Sequence, residues 1–276
     1  MNLQVITPIA GTCVMNCPYC MANAHEHGND FKDVYRENRE MYIAKAKRVF
    51  HGMDLGTIIV TGTADPQQEP KTLADITQIF KELKKPSSAI ELQTRIHKIP
   101  DEISSQYDVV AFSIDDPKQI PHIKPTKAKL DRFVFVLTDK FNGYNLQQLL
   151  DMAQFTPKQV TFKPLIASNE IACKQDEWVR NHHCDEASQM RLSYDVAMHN
   201  YQGNISMRWD ATCWQADNRY IVFRQDGDLY HSWDDAEPAM IVRPMGMDRV
   251  KSRVDTLLNR PSNGVNGYGE VGSIVK

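Results

Sequence analysis

The feature that most constrains the fold is the alternation of short apolar stretches with longer amphipathic or polar ones. Runs of about four to eight apolar residues between turn residues predict strands, and apolar residues at helical spacing predict helices. The predicted strands are Leu3–Ile9, Thr57–Thr61, Ile90–Arg95, Val109–Ile114, Arg132–Leu137 and Gln159–Pro164. Strands that alternate with helices form βα units, whose strands pair in parallel. The pattern alone therefore predicts a parallel α/β domain.

Three helices are predicted between these strands. They run over about Phe31–Phe50, Thr72–Lys85 and Asn145–Ala153. The apolar residues of the second helix recur at helical spacing, namely Leu73, Ile76, Ile79, Phe80 and Leu83. Thr72, with Asp75 three positions later, is expected to be its N-cap.

Three cysteines follow the first predicted strand. Cys13, Cys17 and Cys20 have the spacing Cys-x3-Cys-x2-Cys, with Tyr19 directly before the last cysteine. Thiolates are soft ligands that suit iron–sulfur clusters, and a [4Fe–4S] cluster is normally held by four cysteines. Three ligands on one loop would leave one iron open to a substrate or cofactor. The alternatives are a zinc site, which usually needs a second Cys or His pair, and buried thiols that bind nothing.

This loop resembles the signature of the radical S-adenosylmethionine (SAM) superfamily. The resemblance implies a [4Fe–4S] cluster on Cys13, Cys17 and Cys20, SAM chelated to the open iron, and Tyr19 beside the adenine. It also implies that the α/β fold is a partial (β/α)6 parallel barrel. In such barrels the active site gathers at the carboxyl ends of the strands. An external electron donor such as flavodoxin or ferredoxin would reduce the cluster.

The turn after the second predicted strand reads Thr61-Gly62-Thr63-Ala64-Asp65-Pro66. Radical SAM enzymes usually carry a Gly-Gly-Glu-Pro-like turn here, which meets the SAM ammonium. This chain has Thr63 for the second glycine and Asp65 for the glutamate, and more closely resembles the Thr-x-Asp-Pro form in relatives of spore photoproduct lyase. The resemblance assigns Thr61, Gly62, Thr63 and Asp65 to SAM, because a carboxylate binds a primary ammonium by a charge-assisted hydrogen bond. The alternative is a plain Asp-Pro turn.

Polar residues also stand near the ends of three other predicted strands. Arg95 ends the third strand, Ser113 lies near the end of the fourth, and Lys163 near the end of the sixth. By resemblance, Arg95 and Ser113 would meet the ribose and carboxylate of SAM, and Lys163 the SAM carboxylate or the substrate. A buried core hydroxyl for Ser113 and a solvated strand-end lysine for Lys163 remain open.

The composition changes after about Ile166, which predicts two regions. Residues 1–166 would form the barrel, and residues 167–276 an α+β extension that covers the active site. A polar helical stretch is predicted over Asp176–Asn200. A β-hairpin is predicted within Arg219–Trp233, because Asp226-Gly227 stands between β-rich flanks.

The hairpin resembles that of the SPASM and twitch groups of the superfamily, in which two cysteines around the hairpin bind an auxiliary cluster. Here Cys213 precedes the hairpin, but Ser232 stands where the second cysteine is expected. The resemblance therefore implies a hairpin that has lost its auxiliary cluster. A second cluster on Cys173, Cys184 and Cys213 stays open.

Charge and hydropathy argue against a strongly basic protein and a membrane-spanning one, and they leave local basic patches open. The net charge of −3 gives no global basic field for nucleic acid or a membrane surface. No apolar run approaches the roughly 20 residues of a spanning helix, and residues 1–7 do not resemble a signal peptide. A cytoplasmic location without a membrane partner is expected, with the six cysteines as thiols or metal ligands.

The resemblance implies reductive cleavage of SAM to methionine and a 5′-deoxyadenosyl radical that takes hydrogen from the substrate. No outlet for an extra electron is visible, which favours a redox-neutral rearrangement of the isomerase or lyase type. The expected substrate is an amino-acid derivative or a modified nucleobase, including a DNA-linked one as in viral DNA hypermodification. The alternatives are a peptide- or protein-modifying enzyme, and an iron–sulfur or zinc scaffold without turnover.

Overall fold

The computed structural model describes residues 2–9, 12–15, 17, 20, 31–50, 55–164, 197–201, 205–209, 220–231, 233, 235 and 237–239. These residues form a ten-stranded sheet with helices against it. The strands are β1 (Asn2–Ile6), β2 (Thr57–Thr61), β3 (Ala89–Thr94), β4 (Val109–Ile114), β5 (Leu130–Leu137), β6 (Gln159–Pro164), β7 (Ala197–Tyr201), β8 (Ile205–Trp209), β9 (Tyr220–Phe223) and β10 (Leu229–Tyr230). The α-helices are α1 (Val34–Glu37), α2 (Arg39–Phe50), α3 (Pro70–Leu83), α4 (Asp101–Ser104) and α5 (Leu146–Asp151). Short 3-10 helices cover Pro66–Gln68, Pro117–His122 and Asp139–Phe141.

The first six strands pair in chain order, each parallel to the next. The predicted α/β class is therefore confirmed, and six sequential parallel strands are the arrangement that a partial (β/α)6 barrel requires. Parallel pairing also places the carboxyl ends of β1 to β6 along one edge of the sheet. This carboxyl edge is where the functional residues of such folds gather.

The C-terminal strands extend the same sheet at both ends. Strand β9 pairs in parallel with β1, and β10 pairs antiparallel with β9. The predicted hairpin is thus confirmed, with Gly227 in its turn at a φ of 76°. At the other end β8 pairs in parallel with β6, and β7 antiparallel with β8.

The predicted helical stretch over Asp176–Asn200 is wrong at its end, because residues 197–200 lie in β7. Cross-strand pairing with β8 overrides the polar pattern that favoured a helix there. The rest of the stretch, 176–196, lies outside the described residues. Coverage of the active site by residues 167–276 stays a prediction.

All three predicted helices have different limits in the structure, and the third, predicted over Asn145–Ala153, covers Leu146–Asp151. The helix over Phe31–Phe50 is two helices, α1 and α2. Asn38 separates them, because its backbone leaves the helical region at φ −153° and ψ 84° and its side chain accepts from Met41 N at 3.0 Å. The helix predicted to start at Thr72 starts at Pro70, whose fixed φ suits the first helical position. Thr72 is therefore not the N-cap, and its hydroxyl donates to the Glu69 carboxylate at 2.8 Å.

One face of the sheet packs against α2 and α3. Alternate strand residues enter this core, as period-two strands require, and they include Leu3, Val5, Ile58, Val60, Ile90, Leu92, Val110 and Phe112. Tyr42 of α2 and Phe80 of α3 pack edge-on against Phe223 of β9, with ring centroids 5.3 and 5.6 Å apart. This contact joins the hairpin to the first helices.

The opposite, inner face carries polar residues. At its amino end Arg132 of β5 forms a buried ion pair with Glu91 of β3 at 2.7 Å and donates through Nε to Gln159 of β6. Gln93 also donates to Glu91, at 3.1 Å. These mutual partners pair the buried charges across three strands. None of the helices in the described part of the chain is long and apolar enough to cross a bilayer.

Candidate cluster and cofactor site

The cysteine loop leaves the carboxyl end of β1. Thr7 N donates to Thr61 O at 2.8 Å, which continues the β1–β2 pairing to the start of the loop. Cys13, Cys17 and Cys20 are free, half-buried thiols. Cys20 N donates to Cys17 O at 3.1 Å, so these two cysteines share one tight turn. Tyr19, which was predicted beside the adenine, lies outside the described residues.

The donor set of the loop is three thiols. Thiolates are the soft ligands that iron–sulfur clusters take, and in a four-iron cube each cysteine binds a separate iron. Three thiols on one loop at the carboxyl edge match that chemistry, and the fourth iron would have no cysteine from this loop. Among the described side chains, no group of three His, Cys, Asp or Glu residues is placed to hold a single metal ion.

Gln68 ties the cysteine loop to the end of β2. Its side-chain Oε1 accepts from Val14 N at 2.8 Å, and its Nε2 donates to Thr12 O at 3.3 Å. Both loop groups flank Cys13, so one amide holds the backbone on each side of the first cysteine. Gln68 itself is fixed by the short helix that Pro66 begins after the strand.

The turn after β2 lies against the same loop. Thr61 ends the strand, and Thr63 is half-buried. Gly62 has no room for a side chain, because a Cβ would lie 2.6 Å from Ala64 O and 3.4 Å from Thr7 O. The close approach of these backbones explains the glycine. The assignment of Thr61, Gly62 and Thr63 to SAM stays a prediction.

Asp65 is the hydrogen-bonding centre of the turn. The residue is only 7% exposed, and its carboxylate accepts from Gln67 N at 3.0 Å and from Arg95 N at 2.7 Å. The Thr94 hydroxyl donates to the same carboxylate, 2.9 Å from each oxygen. Asp65 therefore joins the end of β2 to the end of β3. Its predicted contact with the SAM ammonium stays a prediction, and it would add a partner to a carboxylate that already has three donors.

Arg95 brings the third strand to the cysteines. Its Nη1 donates to Cys17 Sγ, and its Nη2 donates to Asp115 Oδ1 beyond the end of β4. Burial raises the pKa of the Cys17 thiol, although the Arg95 guanidinium lowers it by charge and hydrogen bonding; the neighbouring Cys20 and Asp115 add to the rise. The arginine predicted for SAM thus contacts a predicted cluster ligand.

The other two predicted strand-end residues lie farther along the edge. Ser113 is half-buried in β4, two residues before Asp115, and the β3–β4 register places it beside the end of β3. Lys163 of β6 is half-buried opposite Val136 of β5, three strands from Arg95. The structure therefore joins Cys17, Asp65 and Arg95 by hydrogen bonds, and Lys163 lies three strands along the order of the sheet from them. Roles for Ser113 and Lys163 in SAM or substrate binding stay predictions.

Sequence reasoning missed the polar residues that hold this site. They are Gln67, Gln68, Asp115 and Gln119. A signal was present, since an Asp-Asp pair directly follows the fourth predicted strand and an Asp-Pro-Gln-Gln segment begins four residues after the end of the second. Side chains just beyond strand ends meet at the carboxyl edge, so both segments were candidates on position alone.

The sequence matches no known protein-family model and no curated protein sequence. Solved structures do resemble the chain. They include SuiB of Streptococcus suis bound to S-adenosylmethionine, at 11% identity and a TM-score of 0.49, over 94% of this chain and 66% of that one. Another is anSMEcpe with bound AdoMet, at 15% identity and a TM-score of 0.42, over 60% of this chain and 50% of that one.

A third is coproporphyrinogen III oxidase (HemN) of Escherichia coli, described as a radical SAM enzyme. It is 12% identical with a TM-score of 0.38, over 64% of this chain and 46% of that one. The chain thus spans between about half and two thirds of the length of these proteins. At this level of similarity, the inference of function rests on the residues of the chain itself.

Proposed function

We propose that this chain is a radical SAM enzyme that holds a [4Fe–4S] cluster on Cys13, Cys17 and Cys20 and binds SAM beside it. The observation that carries the proposal is the placement of three free thiols on one loop at the carboxyl edge of six sequential parallel strands. When bound and reduced, such a cluster supplies one electron that cleaves SAM to methionine and a 5′-deoxyadenosyl radical able to take hydrogen from a substrate. The protein supplies position and protection for that chemistry.

The described residues support this placement in two ways. Gln68 holds the loop on both sides of Cys13. Asp65 fixes the turn after β2 against the end of β3, beside the loop. The backbone of that turn and the Asp65 carboxylate are the groups that we propose to receive the SAM ammonium, with Ser113 near the ribose and carboxylate. The electron donor we propose is a flavodoxin or a ferredoxin.

We further propose a redox-neutral reaction of the isomerase or lyase type. Ser232 stands where a second auxiliary cysteine is expected, so the sequence offers no evident outlet for an extra electron. The substrates we propose are amino-acid derivatives or modified nucleobases, free or linked to DNA. Lys163, at the carboxyl end of β6, is a candidate contact for an acidic group of such a substrate.

Peptide modification is the second candidate enzyme function. It would use the hairpin as an edge to which an extended peptide adds. One observation bears on it: Leu229 O of β10 already accepts from Ala239 N at 2.6 Å. Part of the outer edge is therefore occupied by the chain itself, and the redox-neutral small-molecule function is favoured.

The first test is anaerobic reconstitution with iron and sulfide. We expect about four iron and four sulfide per chain, as the cluster type requires, and 5′-deoxyadenosine when a reductant and SAM are added. The matched control replaces all three loop cysteines with Ala and should lose both the metal and the product. Metal content and charge-transfer absorbance that persist in this triple variant would refute the proposed ligands. A loaded wild-type chain that binds no SAM would indicate a scaffold.

A separate test addresses the redox balance. With a deuterated substrate, a redox-neutral isomerase should return deuterium to the SAM pool and turn over more often than SAM is consumed. A lyase that consumes SAM would show one product per SAM without net oxidation. A product two electrons more oxidised than the substrate would reject the redox-neutral function and would point to a second cluster on Cys173, Cys184 and Cys213.

A further inference from the structure

Arg95 connects a cysteine of the loop to a carboxylate at the end of the next strand. One side of its guanidinium donates to Cys17 Sγ, and the other side donates to Asp115 Oδ1. The side chains of Arg95 and Asp115 are only 16% and 10% exposed. A guanidinium has a rigid planar fork of donors, so contact on two sides defines both its position and its plane.

Both ends of this connection are held by further hydrogen bonds. The Arg95 backbone N–H donates to Asp65 at 2.7 Å, which fixes the point from which the side chain leaves β3. Asp115 Oδ1 accepts from Gln119 Nε2 at 2.8 Å, and Asp115 N donates to Gln119 Oε1 at 3.0 Å. Gln119 belongs to the short helix Pro117–His122, which is capped by Asp116. The guanidinium is therefore set in place before any cofactor binds.

Such a contact has a defined effect on a cluster ligand. Hydrogen bonds and positive charge at a cysteine sulfur favour the more negative, reduced state of an iron–sulfur cluster, and so raise its reduction potential. The effect is strengthened by low solvent access. Asp115 offsets part of the charge of Arg95 but not the hydrogen bond that reaches the sulfur.

We propose that Arg95 is a positioning residue that orients Cys17 and raises the reduction potential of the cluster before SAM binds. The inference rests on the proposed function, because it requires a cluster on Cys17. The step concerned is the transfer of one electron from a flavodoxin or ferredoxin to the oxidised cluster, in which no covalent bond forms or breaks. Arg95 makes this transfer easier for a donor of modest reducing power.

The test is a redox titration of the reconstituted full chain without SAM, followed by the electron paramagnetic resonance signal of the reduced cluster. Arg95→Met should weaken the preference of the cluster for the reduced state at least tenfold. For a one-electron couple this lowers the midpoint potential by about 59 mV or more. Arg95→Gln should shift the midpoint in the same direction, and Arg95→Lys should restore part of the shift. Arg39→Met is the matched control, because Arg39 pairs with Asp75 away from the loop and its loss should leave the midpoint unchanged.

Other results distinguish a role of Arg95 at the cluster from its alternatives. If Arg95→Met fails to bind a cluster, the midpoint potential of Arg95→Gln is the deciding measurement. A midpoint potential of Arg95→Gln equal to that of the wild type overturns the proposal. If the variants match wild type without SAM and differ only with SAM present, Arg95 acts on SAM and not on the cluster. A wild-type chain that assembles no cluster overturns the proposed function itself, whereas normal assembly with unshifted midpoints overturns only the role of Arg95.

Discussion

Replacement of Asp65 by Asn should destabilise the chain, because one carboxylate receives three donors. In Asn one of the two oxygens becomes an NH2 group, which cannot accept. Whichever way the amide turns, Gln67 N or Arg95 N loses its acceptor and faces another donor. Hydrogen bonds to charged groups contribute about 1.5–3 kcal/mol, and a buried donor left unsatisfied costs about 1–3 kcal/mol.

We therefore expect Asp65→Asn to lower the free energy of unfolding by about 2–4 kcal/mol, a large share of the roughly 5–15 kcal/mol typical of domains. The assay is anaerobic urea unfolding of the cluster-free chain, followed by circular dichroism. Asp139→Asn is the matched control, because Asp139 is exposed and should change stability by less than about 0.5 kcal/mol. If Asp65→Asn is as stable as this control, the account of the turn is wrong.

A second variant of Asp65 separates its structural role in the turn from its proposed contact with the SAM ammonium. If its carboxylate also seats the SAM ammonium, Asp65→Ala should weaken SAM binding by a factor worth about 1.5–3 kcal/mol. Equilibrium binding of SAM to the loaded chain measures this. A destabilised variant with unchanged SAM affinity would leave Asp65 as a structural tie and would refute the contact with SAM.

Three further predictions concern other parts of the chain. Gln68→Ala should release the cysteine loop, lower the iron bound per chain and speed iron loss to a chelator; unchanged retention would contradict the tie. Gly227→Ala should cost about 1–2 kcal/mol in urea unfolding, because φ is 76° and a Cβ would lie 2.8 Å from the Lys45 side chain; a neutral result would refute this strain. The hydrogen bond from Arg39 holds the pKa of Asp75 below its usual 3.8. The contribution of this pair to the free energy of unfolding is therefore fully present above pH 3.8, and it is lost as the pH falls through the lower pKa of the folded state. The stability difference between wild type and Asp75→Asn should therefore shrink in acid, and a difference that is constant with pH would contradict the shift.

The parallel sheet could be predicted because its signals are local. Strands β2, β4 and β6 have the limits that the sequence indicates, and β2 and β4 are apolar runs rich in β-branched residues. The hairpin was also predictable, because Asp226-Gly227 is a local turn signal. Its position beside β1 was not, since that pairing joins residues more than 200 positions apart and no local pattern encodes it.

The site was predicted in its location but not in its contacts. Spacing identified the cysteines, and strand order placed Asp65 and Arg95 at one edge. The partners of Arg95 depend on the register of β3 and β4 and on the short helix that carries Gln119. Those relations exist only after the strands have paired, so no local pattern could indicate the contact of Arg95 with Cys17 that the structure shows. The contact of Arg95 with SAM stays a prediction.

The central claim is that Cys13, Cys17 and Cys20 hold a cluster with one iron open to SAM. The most direct measurement is the electron paramagnetic resonance spectrum of the reduced, reconstituted chain with and without SAM. The account predicts a reduced [4Fe–4S] signal whose g-values change when SAM is added, and no signal in the triple Ala variant. A spectrum that is identical at saturating SAM, or one that survives the loss of the three cysteines, would contradict it.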